Sequence, residues 1–258
     1  MEPSVCKAAK LHRLSTVFSA LSTKFLILKG SEPENMKSYL LHLFRHGIPE
    51  GQARQQYIGV TDLPLSTDGI KLLQDLKAEY NYAKPTAVFS SPLQRCVQTA
   101  EILFPGQEIH RIADLREYDF GDFERKTAEE LKGRSAYEDF LQQGTAPPGG
   151  ESNEQFSKRI CTAFTKLVRD LLKSGITEAA LCTHGGIIMT LLAVYGLPRR
   201  NMLEWSAPFG EGYTIRITPS IWMRSGMVEV VGVYPQSPYE RAEQEDGDSD
   251  ILWAEKEE

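Results

Sequence analysis

Tyr39-Leu40-Leu41-His42-Leu43-Phe44-Arg45-His46-Gly47 is the stretch that decides the fold. It opens as a strand-like run over 38–44 and closes on two basic residues and a glycine. Gly47 lets the chain turn abruptly where the strand stops. In open α/β sheets ligands sit beyond the carboxyl ends of the strands. A strand of this kind would deliver Arg45 and His46 there.

Two further segments share the layout. Ala179-Ala180-Leu181-Cys182-Thr183 ends in His184-Gly185-Gly186 and leads into the mostly apolar stretch Ile187 to Tyr195, expected to be a buried helix. Phe89-Ser90-Ser91-Pro92-Leu93-Gln94-Arg95 ends a strand in small polar residues, with Pro92 and then Arg95 expected in the first turn of a helix. Strand-like runs lie at 38–44, 86–90, 108–112 and 179–183, and two late ones at 212–218 and 227–234 flank an expected turn near Arg224-Ser225-Gly226.

Helical patterns fill the intervals. Ser66 can cap a helix carrying Leu72, Leu73 and Leu76. Thr127 with Glu130 and Ser152 with Gln155 have capping-box spacing. After Ser152, Phe156, Ile160, Phe164, Leu167 and Leu171 recur every three or four residues until Gly175. Strands alternating with helices imply an α/β fold, a largely parallel sheet covered on both faces.

Two arginines and two histidines converging at strand ends make an anion site. Guanidinium forks match phosphate oxygens with paired, charge-assisted bonds, and helix N-termini after Ser91 and His184 add N–H donors. Neighbouring cations lower an imidazole's pKa and favour its neutral, nucleophilic form. One histidine can then attack phosphorus while the other holds phosphoryl oxygens. Glu117, in Leu115-Arg116-Glu117-Tyr118-Asp119-Phe120-Gly121-Asp122-Phe123-Glu124, is the candidate proton donor. Phosphate charge beside it would keep it protonated. By itself, nothing in the sequence separates it from Asp119, Asp122 or Glu124.

The 258 residues are 41% hydrophobic and 25% charged, which suits one domain with extra segments at its ends. The last 23 residues carry a net charge of −7 and the first 35 a net of +2, leaving −1 on 36–235. A nearly neutral core argues against nucleic acid as a partner, and no apolar run has the length of a membrane span. Cys6, Cys96, Cys161 and Cys182 form no CxxC pair, so a reducing, cytoplasmic setting and no metal site are expected. The organisation expected is residues 1–35 as an extension outside the fold, 36–235 as the catalytic domain, and 236–258 as a solvated acidic tail. Met36 would be a natural start, with 1–35 read from an upstream start codon.

Together these motifs resemble the histidine phosphatase superfamily, the phosphoglycerate mutase-like enzymes. The resemblance runs from about Lys37 to Tyr234. It rests on Arg45-His46-Gly47, Tyr57-Ile58-Gly59-Val60-Thr61-Asp62-Leu63-Pro64-Leu65-Ser66 with Gly69, Ser90 to Arg95 with Thr99-Ala100, the Glu117 segment, and Thr183-His184-Gly185-Gly186. It implies a three-layer α/β/α sandwich with a mostly parallel central sheet, and His46 as the phosphorylated residue. It also implies Arg45, Arg95 and His184 as the phosphate pocket, Glu117 as proton donor, and neither metal nor cofactor. The Phe120-Gly121-Asp122-Phe123-Glu124 form and Pro148-Gly149-Gly150-Glu151-Ser152 resemble the alpha-ribazole phosphatase and broad-specificity branch. Only 66 residues separate Glu117 from His184, where cofactor-dependent mutases carry a longer insertion. That favours hydrolysis of a small phosphorylated metabolite over the alternatives, a phosphoglycerate-type phosphomutase or a phosphate-binding scaffold with little turnover.

The chain departs from the family after Arg-His-Gly. Ile48 and Pro49 replace an acidic or amide residue and a hydroxyl residue, and Gln52 stands where Asn is usual. Gln52, Tyr57 and Gly185 are the expected substrate contacts. Tyr118, Glu151 and Trp205 would serve either the mouth of the pocket or the core.

Overall fold

The computed structural model describes residues 37–236. The expectations for residues 1–35 and, beyond Gln236, for the acidic tail lie outside the described residues. The strands are β1 (Tyr39–Arg45), β2 (Ala87–Ser90), β3 (Ile109–Arg111), β4 (Glu178–Thr183), β5 (Gly196–Leu197), β6 (Gly212–Ile217) and β7 (Val228–Tyr234). They form one sheet in the order β3-β2-β4-β1-β6-β7-β5. Of these, β6 alone runs antiparallel to its neighbours.

Alternation of side chains along each strand sorts the core into two layers. Leu41, Leu43, Ala179 and Leu181 point to one face, where α5 (Asn153–Ser174) and α6 (Gly185–Tyr195) cover them. Phe44, Ala180 and Cys182 point to the other, under α1 (Thr67–Glu79) and α2 (Gln94–Leu103). The result is the expected α/β/α sandwich. The caps read from sequence are present. Ser66 Oγ accepts from Gly69 N, and both capping boxes, at Thr127 and Ser152, are complete. Gly175 ends α5 in the left-handed conformation, at φ 71°.

Two expectations change. Pro92 precedes its helix instead of occupying the first turn. Ser91 Oγ lies 3.4 Å from Leu93 N and Asp62 Oδ1 accepts from Gln94 N at 2.6 Å, so the helix begins at Gln94. The late strands are joined by a short helix, α7 (Pro219–Ser225), with Gly226 as its left-handed C-cap. Pro219 at its start and Trp222, packed on Phe164 and Tyr195, explain that helix. After the capping box at Thr127, α3 (Ala128–Leu131) is a single turn, and α4 (Ser135–Gln143) follows it, burying Tyr137 against Phe123 and Leu131. No helix among the described residues is long and apolar enough to cross a membrane.

Candidate active site

The central strands β2, β4 and β1 end level with one another. Arg45 pairs with Thr183 and Ser90 with Cys182 in register. Their last residues therefore open on one crevice. Arg45, His46, Gln52, Arg95, Glu117 and Gly185 all line a cavity of about 140 Å³ there.

His46 is buried, and its Nδ1 lies 2.6 Å from the Gly47 carbonyl. A carbonyl only accepts, so Nδ1 carries the proton and Nε2 keeps its lone pair. Arg95 Nε donates to that Nε2 at 3.2 Å, which fits the same tautomer. Burial above all, and then Arg95 and Arg45, hold the His46 pKa well below the ordinary histidine range. The cations foreseen from sequence thus act second to desolvation.

His184 adopts the other tautomer. Arg95 Nη2 donates to its Nδ1 at 3.4 Å, and its Nε2 is 2.7 Å from Ser91 Oγ, to which it donates. Its ring meets that of His46 edge-on at 5.1 Å. His184 is fully buried behind His46 and is not among the residues lining the cavity. Burial first, then Arg95, also depresses its pKa strongly.

Arg95 is fixed from several sides. Besides both histidines, it donates to the Gly59 carbonyl (2.7 Å) and the Thr61 carbonyl (2.9 Å). Glu124 shapes that loop, accepting from the backbone N–H groups of Gly59, Val60 and Thr61 and from that of Phe120. A Cβ on Gly59 would sit 1.8 Å from the Tyr118 carbonyl, so only glycine allows this approach. Arg45 stacks on Phe209 at 3.8 Å and donates to the Ala207 carbonyl, yet its buried Nε has no partner among the described residues.

Glu117 accepts from Tyr118 N at 2.9 Å and from Gly186 N at 3.3 Å. A Cβ on Gly186 would lie 2.8 Å from Glu117 Oε1, so Gly186 is the glycine that lets helix α6 meet the carboxyl. Burial raises the Glu117 pKa, against the pull of those N–H groups and both arginines. Burial thus favours the protonated form even without phosphate nearby. Arg159 clamps the backbone behind it, donating to the Asp114, Arg116 and Glu117 carbonyls. Glu151, one of the residues open to either role, is the ion-pair partner of Arg159 and also accepts from Asp119 N. Trp205, another, is buried against Tyr213 and under Arg200.

Tyr57, Tyr118 and Gln52 line a second, larger space of about 440 Å³ that adjoins the first and shares Arg45, Gln52, Ile58, Glu117 and Gly186 with it. Where Ile48-Pro49 departs from the family pattern, the backbone is pinned. The Ile48 carbonyl accepts from Ser66 N and Oγ, and Pro49 forms part of the cavity wall. Ser91, Thr99 and Glu124 stand in motifs read from sequence, but the sequence shows no side-chain role for them. Thr99 Oγ1 accepts from Gly47 N at 2.9 Å and so fixes the turn that carries His46.

The family model for the histidine phosphatase superfamily (branch 1) matches residues 41–223. The chain belongs to the histidine phosphatase superfamily. It is 32% identical over 165 residues, 61% of this chain and 75% of the other, to a protein of Proteus mirabilis (strain HI4320) named "Probable phosphoglycerate mutase GpmB". Among solved structures it is similar to TTHB049 from Thermus thermophilus, at 31% identity and TM-score 0.50, covering 69% of this chain and 92% of that one. The alpha-ribazole phosphatase from Shigella flexneri shares the fold at 22% identity and TM-score 0.64, covering 75% and 95%. Among the described residues of this superfamily member, no group of three or more His, Cys, Asp or Glu side chains is disposed to hold a metal ion.

Proposed function

We propose that the protein is a metal-independent phosphomonoesterase acting on a small phosphorylated metabolite in the cytoplasm, through a phosphohistidine on His46. The observation that carries this reading is His46 in a cavity lined by Arg45, Arg95 and the Glu117 carboxyl, with the Gly47 carbonyl fixing the tautomer that keeps the lone pair on Nε2, where the bond from Arg95 Nε is 3.2 Å. The phosphoryl group would sit against Arg45, whose buried Nε is free to donate, and Arg95. Nε2 attacks phosphorus as the ester P–O bond breaks, and Glu117 passes its proton to the departing alkoxide. Glu117, now a carboxylate, takes a proton from water. That water attacks the phosphohistidine, and phosphate and neutral His46 are released.

Alpha-ribazole phosphate is one candidate substrate, suggested by the branch-like motifs. A second reading, a phosphomutase, draws on the likeness to the protein named as a phosphoglycerate mutase. Inorganic phosphate release from a panel of esters, wild type beside His46→Ala and without added metal, separates them. Release by wild type alone supports the hydrolase. Transfer between positions of phosphoglycerate without release supports the mutase.

A further inference from the structure

The larger space beside the phosphate cavity has a composition that speaks to the rest of the substrate. Four of its lining residues form a continuous aromatic run. Tyr57 meets Phe120 edge-on at 5.0 Å, Phe120 stacks on Tyr118 at 4.9 Å, and Tyr118 packs on Phe156 at 5.0 Å. The run is braced, because Tyr57 and Tyr137 share a hydroxyl–hydroxyl hydrogen bond of 2.8 Å. The polar lining residues Gln56, Asn153, Ser157 and Thr190 are all uncharged.

Charge is the deciding feature. Among the described residues, Arg45 is the only basic one lining this space, and it also lines the phosphate cavity. Glu117 is the only acid lining it, and it too is shared with the phosphate cavity. Arg159 is nearby in sequence to the aromatic Phe156, but it is engaged with Glu151 and does not line the space. A carboxylate or a second phosphate on the leaving group would enter a wall with no cation left for it. An unpaired charge in such surroundings is strongly disfavoured. A flat ring would find edges and faces of aromatic side chains at contact distance.

We propose that this space is the leaving-group chamber, and that it selects phosphomonoesters of an uncharged alcohol bearing an aromatic ring while disfavouring esters that carry a second anion. The proposal rests on the assignment of the small cavity as the phosphoryl site. By its terms phosphoglycerate and phosphoserine are poor ligands, and Tyr57, Phe120 and Phe156 are specificity-determining residues.

The test separates binding from turnover. Phosphonates have a C–P bond that the enzyme does not cleave, so titration calorimetry on the wild-type chain reads affinity alone. 2-(Naphthalen-2-yl)ethylphosphonate should bind at least about thirtyfold more tightly than 4-phosphonobutanoate. In Ser157→Arg, a cation placed on the wall should tighten 4-phosphonobutanoate by about tenfold. Equal affinity of wild type for the two, tighter binding of the carboxylate, or binding of neither overturns the proposal. The wild-type comparison decides alone if the variant does not fold. Should the naphthyl preference appear without any His46-dependent phosphate release, the chamber stands and the hydrolase reading fails. Release without the preference is the reverse case.

Discussion

The turns after β1 and β4 look alike as sequence and differ as chemistry. Each is a strand running into a histidine and a glycine, and each is buried. Yet His46 lines the cavity, with Nδ1 held by the Gly47 carbonyl and the lone pair on Nε2 accepting from Arg95. His184 is held through both nitrogens, by Arg95 and Ser91, and lies behind. The difference comes from partners supplied by other elements. On the proposed reading the histidine that lines the cavity with its lone pair on Nε2 is the nucleophile, and the one that does not line it is a brace. Arg95 couples the two, touching Nε2 of the first and Nδ1 of the second.

The sharpest way to break this distinction is to remove each ring. His46→Ala should lower kcat/KM by about a thousandfold or more, the loss of a nucleophile. His184→Ala should cost about a hundredfold, the scale of a lost electrostatic support, and should leave His46 able to be phosphorylated. Steady-state kinetics with phosphate detection measure both, and a His184 variant as dead as the His46 variant would erase the contrast. Next comes the acid. Glu117→Gln should slow hydrolysis of alkyl phosphates by about a hundredfold and of activated aryl phosphates by under about tenfold, since a good leaving group needs little help. Equal losses on both would remove the proton-donor role.

The pH profile follows from the same groups. His46 is depressed, so it stays neutral and competent well into the acid range. Glu117 is raised and must be protonated, so kcat/KM for alkyl esters should fall as pH climbs through its raised pKa. Glu117→Gln should flatten that alkaline limb. An unchanged limb in the variant would assign it to another group. Smallest is Ser91→Ala, which deletes the 2.7 Å bond on His184 Nε2. It should lower activity by about three- to tenfold, the worth of one hydrogen bond. No change in the pH–rate profile or in kcat/KM would show that His184 is oriented without it.

Strand ends and caps are legible in the sequence because they depend on near neighbours. Ser66, Thr127 and Ser152 cap from within three residues, and Arg45-His46-Gly47 announces its own turn. What the sequence hides lies in long-range pairing. His184 and Ser91 are 93 residues apart, Gly186 and Glu117 are 69, and the Glu124 carboxylate reaches back 65 to Gly59. Glu117 and Glu124 look equivalent in the chain. The first lines the cavity with its pKa raised by burial, whereas the second spends its oxygens on backbone N–H groups. Helix α4 lacks a side-chain cap at Arg134 and gives no starting signal.

The most direct test of the central claim is to trap the covalent intermediate. Wild-type enzyme mixed with an aryl phosphate, quenched in alkali within a single turnover and digested, can be mapped by mass spectrometry. The account predicts an acid-labile phosphoryl group on His46, absent in His46→Ala and present in His184→Ala. A phosphoryl group on His184, or turnover with no phosphohistidine at all, would contradict it.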